Sequence, residues 1–530
     1  MTNDSLFSYP YPSQRMPVLA DNVLATSHPL AAQAGLDMYK EGGNAVDAAL
    51  AAAIALTVLE PVSNGLGSDA FALIWDGQRL TGLNGSGRSP EGWSLDRFQG
   101  MQAMPSLGWD AVTVPGAVHA WSTLSQELGR VPFDRLFAPA IAYAREGFLL
   151  SPITAHRWQE LAVDYAHFPE FAQAFLPGGR APHPGERFIC PGQAASLQDI
   201  AQTHGRSLYQ GALAERIAAQ AQAQGGCLTL QDLSRHSSTW VEPIQIDFQD
   251  WQVHEIPPNG QGLAALIALG LLTILNLKRY ALDSVQAVHL QVEAMKAAFA
   301  QVHAQVADPV AMRCSASELL QSDFLQGLAE TISMDRAGQY PPLPPNPGGT
   351  VYLTAADRQG MMVSFIQSNY TGFGSGVVIA DTGISLQNRG SGFVLDPDHP
   401  NCVHGGKRPF HTIIPSFVTC KGQPVLSFGV MGAHMQPQGH VQVITRMRLW
   451  GQNAQAALDA PRWQVYPDGS LALEAGLAKR VQEGLQLLGH TVIPDPPMSL
   501  FGGGQIIHHL QSGGYLAASD PRKDGQALGW

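Results

Sequence analysis

Apolar and polar positions change their spacing several times along the chain. Between Ser27 and Trp75 they read as a helix, a glycine turn, an apolar helix from Ala45 to Leu59, the Gly-rich turn "SNGLGSDAF" and the strand "FALIW". Asn44 and Asp47 have the spacing of a capping box at the start of the apolar helix. Residues 115–305 read as largely helical, with amphipathic runs such as "LQDIAQTHG" and "SVQAVHLQVEAMKAAFAQVHAQVADP". The period then drops to two. Val351–Ala356 and Met361–Gln367 read as strands joined by "DRQG", a hairpin signal. "PVLSFGVMG" is a further strand, followed by helical "HVQVITRMRLWG" and "GLAKRVQEGLQLLGH". The sharpest boundary is a proline-rich linker at 339–349, and no internal repeat is present.

Composition narrows the function classes. The 530 residues are 45% hydrophobic and 14% charged, which fits a compact protein with a substantial core better than a disordered chain. A formal net charge of -12, without any run of Lys or Arg, argues against nucleic-acid or anionic-membrane partners. Cys190, Cys227, Cys314, Cys402 and Cys420 are far apart and lack CxxC spacing, which disfavours structural zinc and a disulfide framework. The N-terminal "MTNDSLFSYPYPSQRMPV" does not resemble a secretory signal, so the expected location is the cytoplasm. The apolar run at 45–59 is too short to span a bilayer and carries Asp47.

Chemistry concentrates at "PPLPPNPGGTVYLTAAD", residues 341–357. On propensity alone Thr350 is a β-branched residue opening a strand. The same junction also fits a chain cut between Gly349 and Thr350, whose new α-amine serves as general base for its own hydroxyl. An α-amine titrates near ~8, so one residue can supply both nucleophile and base. Glycine at 349 gives the least hindrance to attack on its carbonyl, and polyproline backbone makes a connector with no core of its own.

Other motifs are weaker. "GLGSDA" and "GFGSG" lack the strand and helix context of a nucleotide fingerprint, and no GxSxG occurs. "SFGVMGAH" (Ser427–His434) is a strand, glycine turn, helix passage whose free N–H groups can stabilise an oxyanion. His411, His434, His440, His508 and His509 show no metal-ligand spacing, so no metal or organic cofactor is assigned.

An ordered set of segments resembles the gamma-glutamyltransferase family of N-terminal-nucleophile hydrolases. They run from "GGNAVDAALAAAIALTVLEPVSNGLGSDAF" through "VPGAVHAW", "LTLQDLSRHSSTWVEPI", "PPNGQG" and "EAMKAAF" to "GGTVYLTAADRQG", "GFGSGVV" and "GGKRPFHTIIPSF". The resemblance implies an α/β (α+β) fold, a four-layer αββα sandwich formed jointly by a large subunit (1–349) and a small subunit (350–530) cut from one precursor. It implies Thr350 as nucleophile, Ser368 as a hydroxyl contacting it, and Gly432 and Ala433 as the oxyanion hole, where the second position is usually glycine.

The departures bear on substrate. The family's carboxylate-binding arginine falls at Ser86, with Arg88 displaced by two residues, and the acid that holds an α-ammonium falls at Gly392. Arg389, Tyr370, His411 and Thr412 occupy the neighbouring substrate-contact positions. An ammonium without a counter-charge binds poorly in a desolvated pocket. The expected substrate is therefore a small carboxylate-bearing amide, as in the oxamate-amidohydrolase and glutathione-hydrolase-like branch. Arg88 or Arg389 would anchor its carboxylate. Glutathione hydrolysis or gamma-glutamyl transfer is the alternative, and an unprocessed binding protein is the alternative of another class. A homo-oligomer of the processed heterodimer is left open.

Overall fold

The computed structural model describes residues 14–342 and 348–530. The leader reading of residues 1–13 and the central linker residues 343–347 lie outside the described residues.

The strand Gly349–Ala356 shows how the layers arise. Along Gly349–Ala356, Val351, Leu353 and Ala355 face one apolar cluster, while Tyr352 and Ala356 face another. Successive side chains of a strand point to opposite faces, so a strand apolar on both faces must be buried on both. On one side lie the helices Pro29–Lys40, Ala45–Leu59 and Ala117–Leu128. On the other lies a second sheet, reached through Phe417, Met431, Ile507 and Ala517. The far face of that sheet packs Val253, Val418, Leu426, Phe428 and Ile506 against the helices Gly262–Ile274, Val285–Gln305 and Met435–Arg448. The result is a four-layer αββα sandwich.

Both sheets have seven strands, all antiparallel. The first runs 526–529, 23–26, 349–356, 362–370, 69–75, 80–85 and 239–241 in spatial order. The second runs 18–20, 515–519, 503–509, 423–431, 416–420, 251–255 and 244–248. Each sheet contains strands from before and from after residue 350, so a cut there would open the backbone without dividing the core.

The capping box at Asn44 and Asp47 is present, with both reciprocal bonds. The reading of 115–305 as largely helical misses five strands: the two-residue Phe148–Leu149 and Arg187–Phe188, and Thr239–Val241, Ile244–Phe248 and Trp251–Glu255. Ile244, Ile246 and Phe248 alternate with exposed polar residues, a period-two signal only five residues long between long helical stretches. Among the described residues no helix is long and apolar enough to cross a membrane.

Candidate active site

Thr350 is the second residue of its strand and is 4% exposed. Gly349 pairs with Tyr370 and Val351 with Gln367, so the register slips across Thr350 and leaves a bulge there. Ser368 is the hub of the resulting polar group. Its hydroxyl donates to the Gly349 carbonyl at 2.5 Å, accepts the Tyr370 N–H at 2.8 Å and accepts the Thr350 hydroxyl at 3.3 Å. Thr350 and the carbonyl before it therefore share one hydrogen-bonded serine.

The turn after Met431 faces the same bond. A Cβ on Gly348 would lie 2.9 Å from the Ala433 nitrogen and 3.0 Å from the Gly432 carbonyl carbon. Gly432 (φ 121°) and Ala433 (φ 55°) both have positive φ, and neither N–H has a hydrogen bond among the described residues. The left-handed geometry at 433 accounts for the family's glycine there, since a Cβ in that region costs about 1–2 kcal/mol. Arg157 Nη2 holds the Gly348 carbonyl at 3.2 Å. Replacing Gly348 by Ala is expected to push the Gly349 carbonyl out of reach and slow self-cleavage about tenfold or more, followed by gel densitometry of freshly made protein. Cleavage at the parent rate would show that the turn yields freely.

Next to this group lies a buried cation. Arg389 is 0% exposed, and its guanidinium lies 4.4 Å over the Tyr370 ring. Its Nη1 donates to Thr412 Oγ1 at 2.7 Å, while Nε and Nη2 are buried without partners among the described residues. Burial lowers this guanidinium to about 10, and Asp69 and Tyr370 hold it up. Asp69 is fully buried and takes N–H bonds from Gly87 (3.2 Å) and Gly116 (3.1 Å). Burial raises its carboxyl to about 7, against the pull of Arg389. Tyr370 itself is held at φ 79°, an unusual value for a bulky residue.

A matching set of family features covers nearly the whole sequence: residues 31–530 fit the gamma-glutamyltranspeptidase family. The chain belongs to that family. A glutathione hydrolase-like proenzyme of Bacillus subtilis (strain 168) is 35% identical, covering 96% of this chain and 98% of its own. An oxamate amidohydrolase proenzyme of Klebsiella pneumoniae is 37% identical over 95% of this chain and 97% of its own. The crystal structure of a cephalosporin acylase from Bacillus halodurans superposes with a TM-score of 0.93 at 45% identity, over 99% of this chain and 98% of that one.

Of the residues singled out from sequence, Thr350, Ser368, Gly432 and Ala433 lie around the Gly349–Thr350 bond, with Tyr370, Arg389 and Thr412 alongside. His411 is fully buried, and its Nε2 pairs with Asp69 Oδ2 at 3.1 Å. Burial holds that ring well below its usual pKa, so it acts as a neutral prop for Asp69. Arg88 is half exposed and is paired with Asp308 at 2.9 Å and the Gly406 carbonyl at 3.0 Å, apart from the Thr350 group. Two residues escaped the sequence reading. Asp69 stood inside "GLGSDAF", read only as a turn. Gln261, in "PPNGQG", donates to the Thr412 carbonyl (2.6 Å) and the Ala433 carbonyl (2.9 Å) and meets His434 Nδ1 at 3.1 Å. A buried glutamine beside two glycines was the available signal.

One ligand-type trio lies elsewhere: His289, Glu293 and His490 bring atoms within 4.8 Å of one another. His289 Nε2 faces the Ser333 carbonyl at 2.8 Å and must donate, which leaves Nδ1 to accept from His490 Nε2 at 2.8 Å. Lys296 Nζ sits 3.4 Å from both Glu293 Oε1 and His490 Nδ1. The two imidazoles are committed to a hydrogen-bond chain from the Ser333 carbonyl to Lys296, with the Lys296 amine also beside Glu293 Oε1, so the set fits a metal ion poorly.

Proposed function

We propose that the chain is a self-processing amidohydrolase whose nucleophile is Thr350. The Thr350–Ser368–Gly349 hydrogen-bond relay carries this reading. In the uncut chain the Thr350 hydroxyl adds to the Gly349 carbonyl carbon. The Gly349–Thr350 C–N bond breaks, the acyl group passes from nitrogen to oxygen, and the nitrogen takes a proton to become a free amine. Water then cleaves the ester, giving a large subunit (1–349) that ends in a carboxylate and a small subunit (350–530) that begins with Thr350. In turnover the Thr350 amine takes the hydroxyl proton as Oγ1 attacks the substrate amide, and returns it to the departing amine. The oxyanion meets the open N–H groups of Gly432 and Ala433. Water hydrolyses the acyl-enzyme and restores the hydroxyl.

Arg389 is the better anchor for a substrate carboxylate, because two of its buried nitrogens lack partners and Thr412 and Tyr370 hold it in place. The absence of an acid at Gly392 argues against a substrate bearing an α-ammonium. A small carboxylate-bearing amide of the oxamate type fits these groups. Incubating the processed protein with oxamate and measuring oxalate and ammonia tests the reading; a processed enzyme that turns over a gamma-glutamyl anilide but not oxamate refutes the substrate assignment.

Asp69 gives a pH test with a definite sign. Its folded carboxyl, raised by burial from 3.8 to about 7, holds its proton more tightly than the unfolded chain does. Its contribution to stability therefore declines as pH rises across that interval. As pH falls through about 7, Asp69 becomes neutral and Arg389 loses its counter-charge. KM for an anionic substrate is expected to fall over one pH unit either side of that value, while kcat falls as the Thr350 amine protonates. Asp69→Asn should give a low KM independent of pH; a wild-type KM flat across the interval would detach Asp69 from substrate binding.

A further inference from the structure

We propose that the cleft between the turn 86–89, the segment 232–239 and the stretch 406–408 is a binding site for a small, multiply charged oxyanion such as phosphate, held between Arg408 and Arg235. None of the groups around Thr350 lines this cleft, so the inference does not depend on the chemistry proposed there.

The cavity has a volume of about 140 Å³, and its charged members are Arg88, Glu91, Asp232, Arg235 and Arg408. Arg88 is already paired with Asp308 at 2.9 Å. Asp232 accepts the Glu91 N–H at 3.0 Å and the Thr229 N–H and hydroxyl at 2.9 and 2.7 Å, so its oxygens serve the start of the short helix Leu230–Ser234. Arg235 is exposed, and its side chain has neither an ion pair nor a hydrogen bond among the described residues.

Arg408 decides the reading. It is only 8% exposed, yet no carboxylate pairs with its guanidinium among the described residues. Nε donates to the Ser86 carbonyl at 3.1 Å, and Nη2 donates to Thr239 Oγ1 at 3.1 Å and the Ser237 carbonyl at 3.4 Å. All three acceptors are neutral, and Nη1 has no hydrogen bond among the described residues. Asp308 takes the Arg408 backbone N–H at 2.9 Å, but its side-chain partner is Arg88. Burial and then the charge of Arg88 lower the Arg408 guanidinium to about 10, with Asp308 and Asp69 acting the other way. His236 lines the same cavity, and its Nε2 is buried without a partner among the described residues. Burial is the main cause that holds this ring well below its usual pKa, so it stays neutral.

A guanidinium does not shed its charge, so burying one without an acid is costly unless an anion comes to it. Its planar fork matches two oxygens of a phosphate at once. Glu91 is the acid of the lining that remains, and one exposed carboxylate cannot neutralise two guanidinium groups. Volume sets the size of the ligand. Cavities that bury drug-sized molecules hold ~300–1,000 Å³, so this smaller one suits an ion better than a nucleotide or a sugar.

Isothermal titration of the processed protein with inorganic phosphate, at an ionic strength fixed with sodium chloride, tests the site. Phosphate is expected to bind at least about tenfold more tightly than acetate titrated in the same way. Arg235→Gln and, separately, Arg408→Gln should each weaken phosphate about tenfold or more. Arg235 is exposed, so its variant decides the question even where Arg408→Gln fails to fold. Arg389→Met should retain this phosphate at unchanged affinity, which separates the cleft from the site proposed for the substrate carboxylate. Absence of phosphate binding, acetate as tight as phosphate, an affinity unmoved by Arg235→Gln, or binding lost in Arg389→Met overturns the inference.

Discussion

Replacing Thr350 by alanine is expected to leave a single uncut chain of 56.7 kDa and to reduce amide turnover by at least about four orders of magnitude. The reason is that one side chain is asked to do two jobs. Its oxygen opens the Gly349 carbonyl, and the cut it makes creates the amine that later moves its proton. Alanine keeps the amine only if another route cuts the chain, and it never supplies the oxygen. Thr350→Ser retains a hydroxyl at the same bulge and should still cut, more slowly, because the lost methyl no longer restricts χ1. Intact mass and N-terminal sequencing of both variants read the result. A Thr350→Ala chain that still yields a fragment starting at residue 350, or that still hydrolyses amides, removes the nucleophile assignment.

The next largest effect is expected at Arg389. Truncation to methionine should lower kcat/KM for a carboxylate-bearing amide by about a hundredfold or more, because losing one partner of a desolvated charge pair costs about 2–5 kcal/mol. Arg389→Lys should recover little, since a lysine cannot keep the bond to Thr412, the position over Tyr370 and two free donors together. The damage should concentrate in KM and spare self-cleavage, since the Gly349–Thr350 bond carries no carboxylate. A variant with unchanged KM for the anion but lost processing would instead assign Arg389 to the precursor's geometry.

Thr350, the hairpin that follows it and the glycine turn at 432 were legible in the sequence because each has a local signature. A Gly-Gly-Thr junction after a proline tract, a period of two and a glycine between strand and helix need no knowledge of distant residues. The Asp69–Arg389 pair had no such signature. These two residues are 320 positions apart in the sequence, and their coupling arises because the strands 69–75 and 362–370 pair while residues 389–392 fold over Tyr370. Arg88 shows the converse: its position two residues from the family's arginine made it a candidate, yet its half-exposed side chain pairs with the buried Asp308.

The amino-acid sequence by itself determined where the proposed self-cleavage would fall, since a hydroxyl, a carbonyl and the freedom of glycine are adjacent along the backbone at Gly349–Thr350. It also determined the burial of the strand 349–356 on both faces, through an apolar run from Val351 to Ala356 interrupted only by Thr354. Only the tertiary structure decided which arginine lies over Tyr370 beside the Thr350–Ser368 group and which buried acid acts on it. Charges and cavity walls act through space, across distances that sheet pairing and layer packing set, and no spacing along a chain encodes those distances.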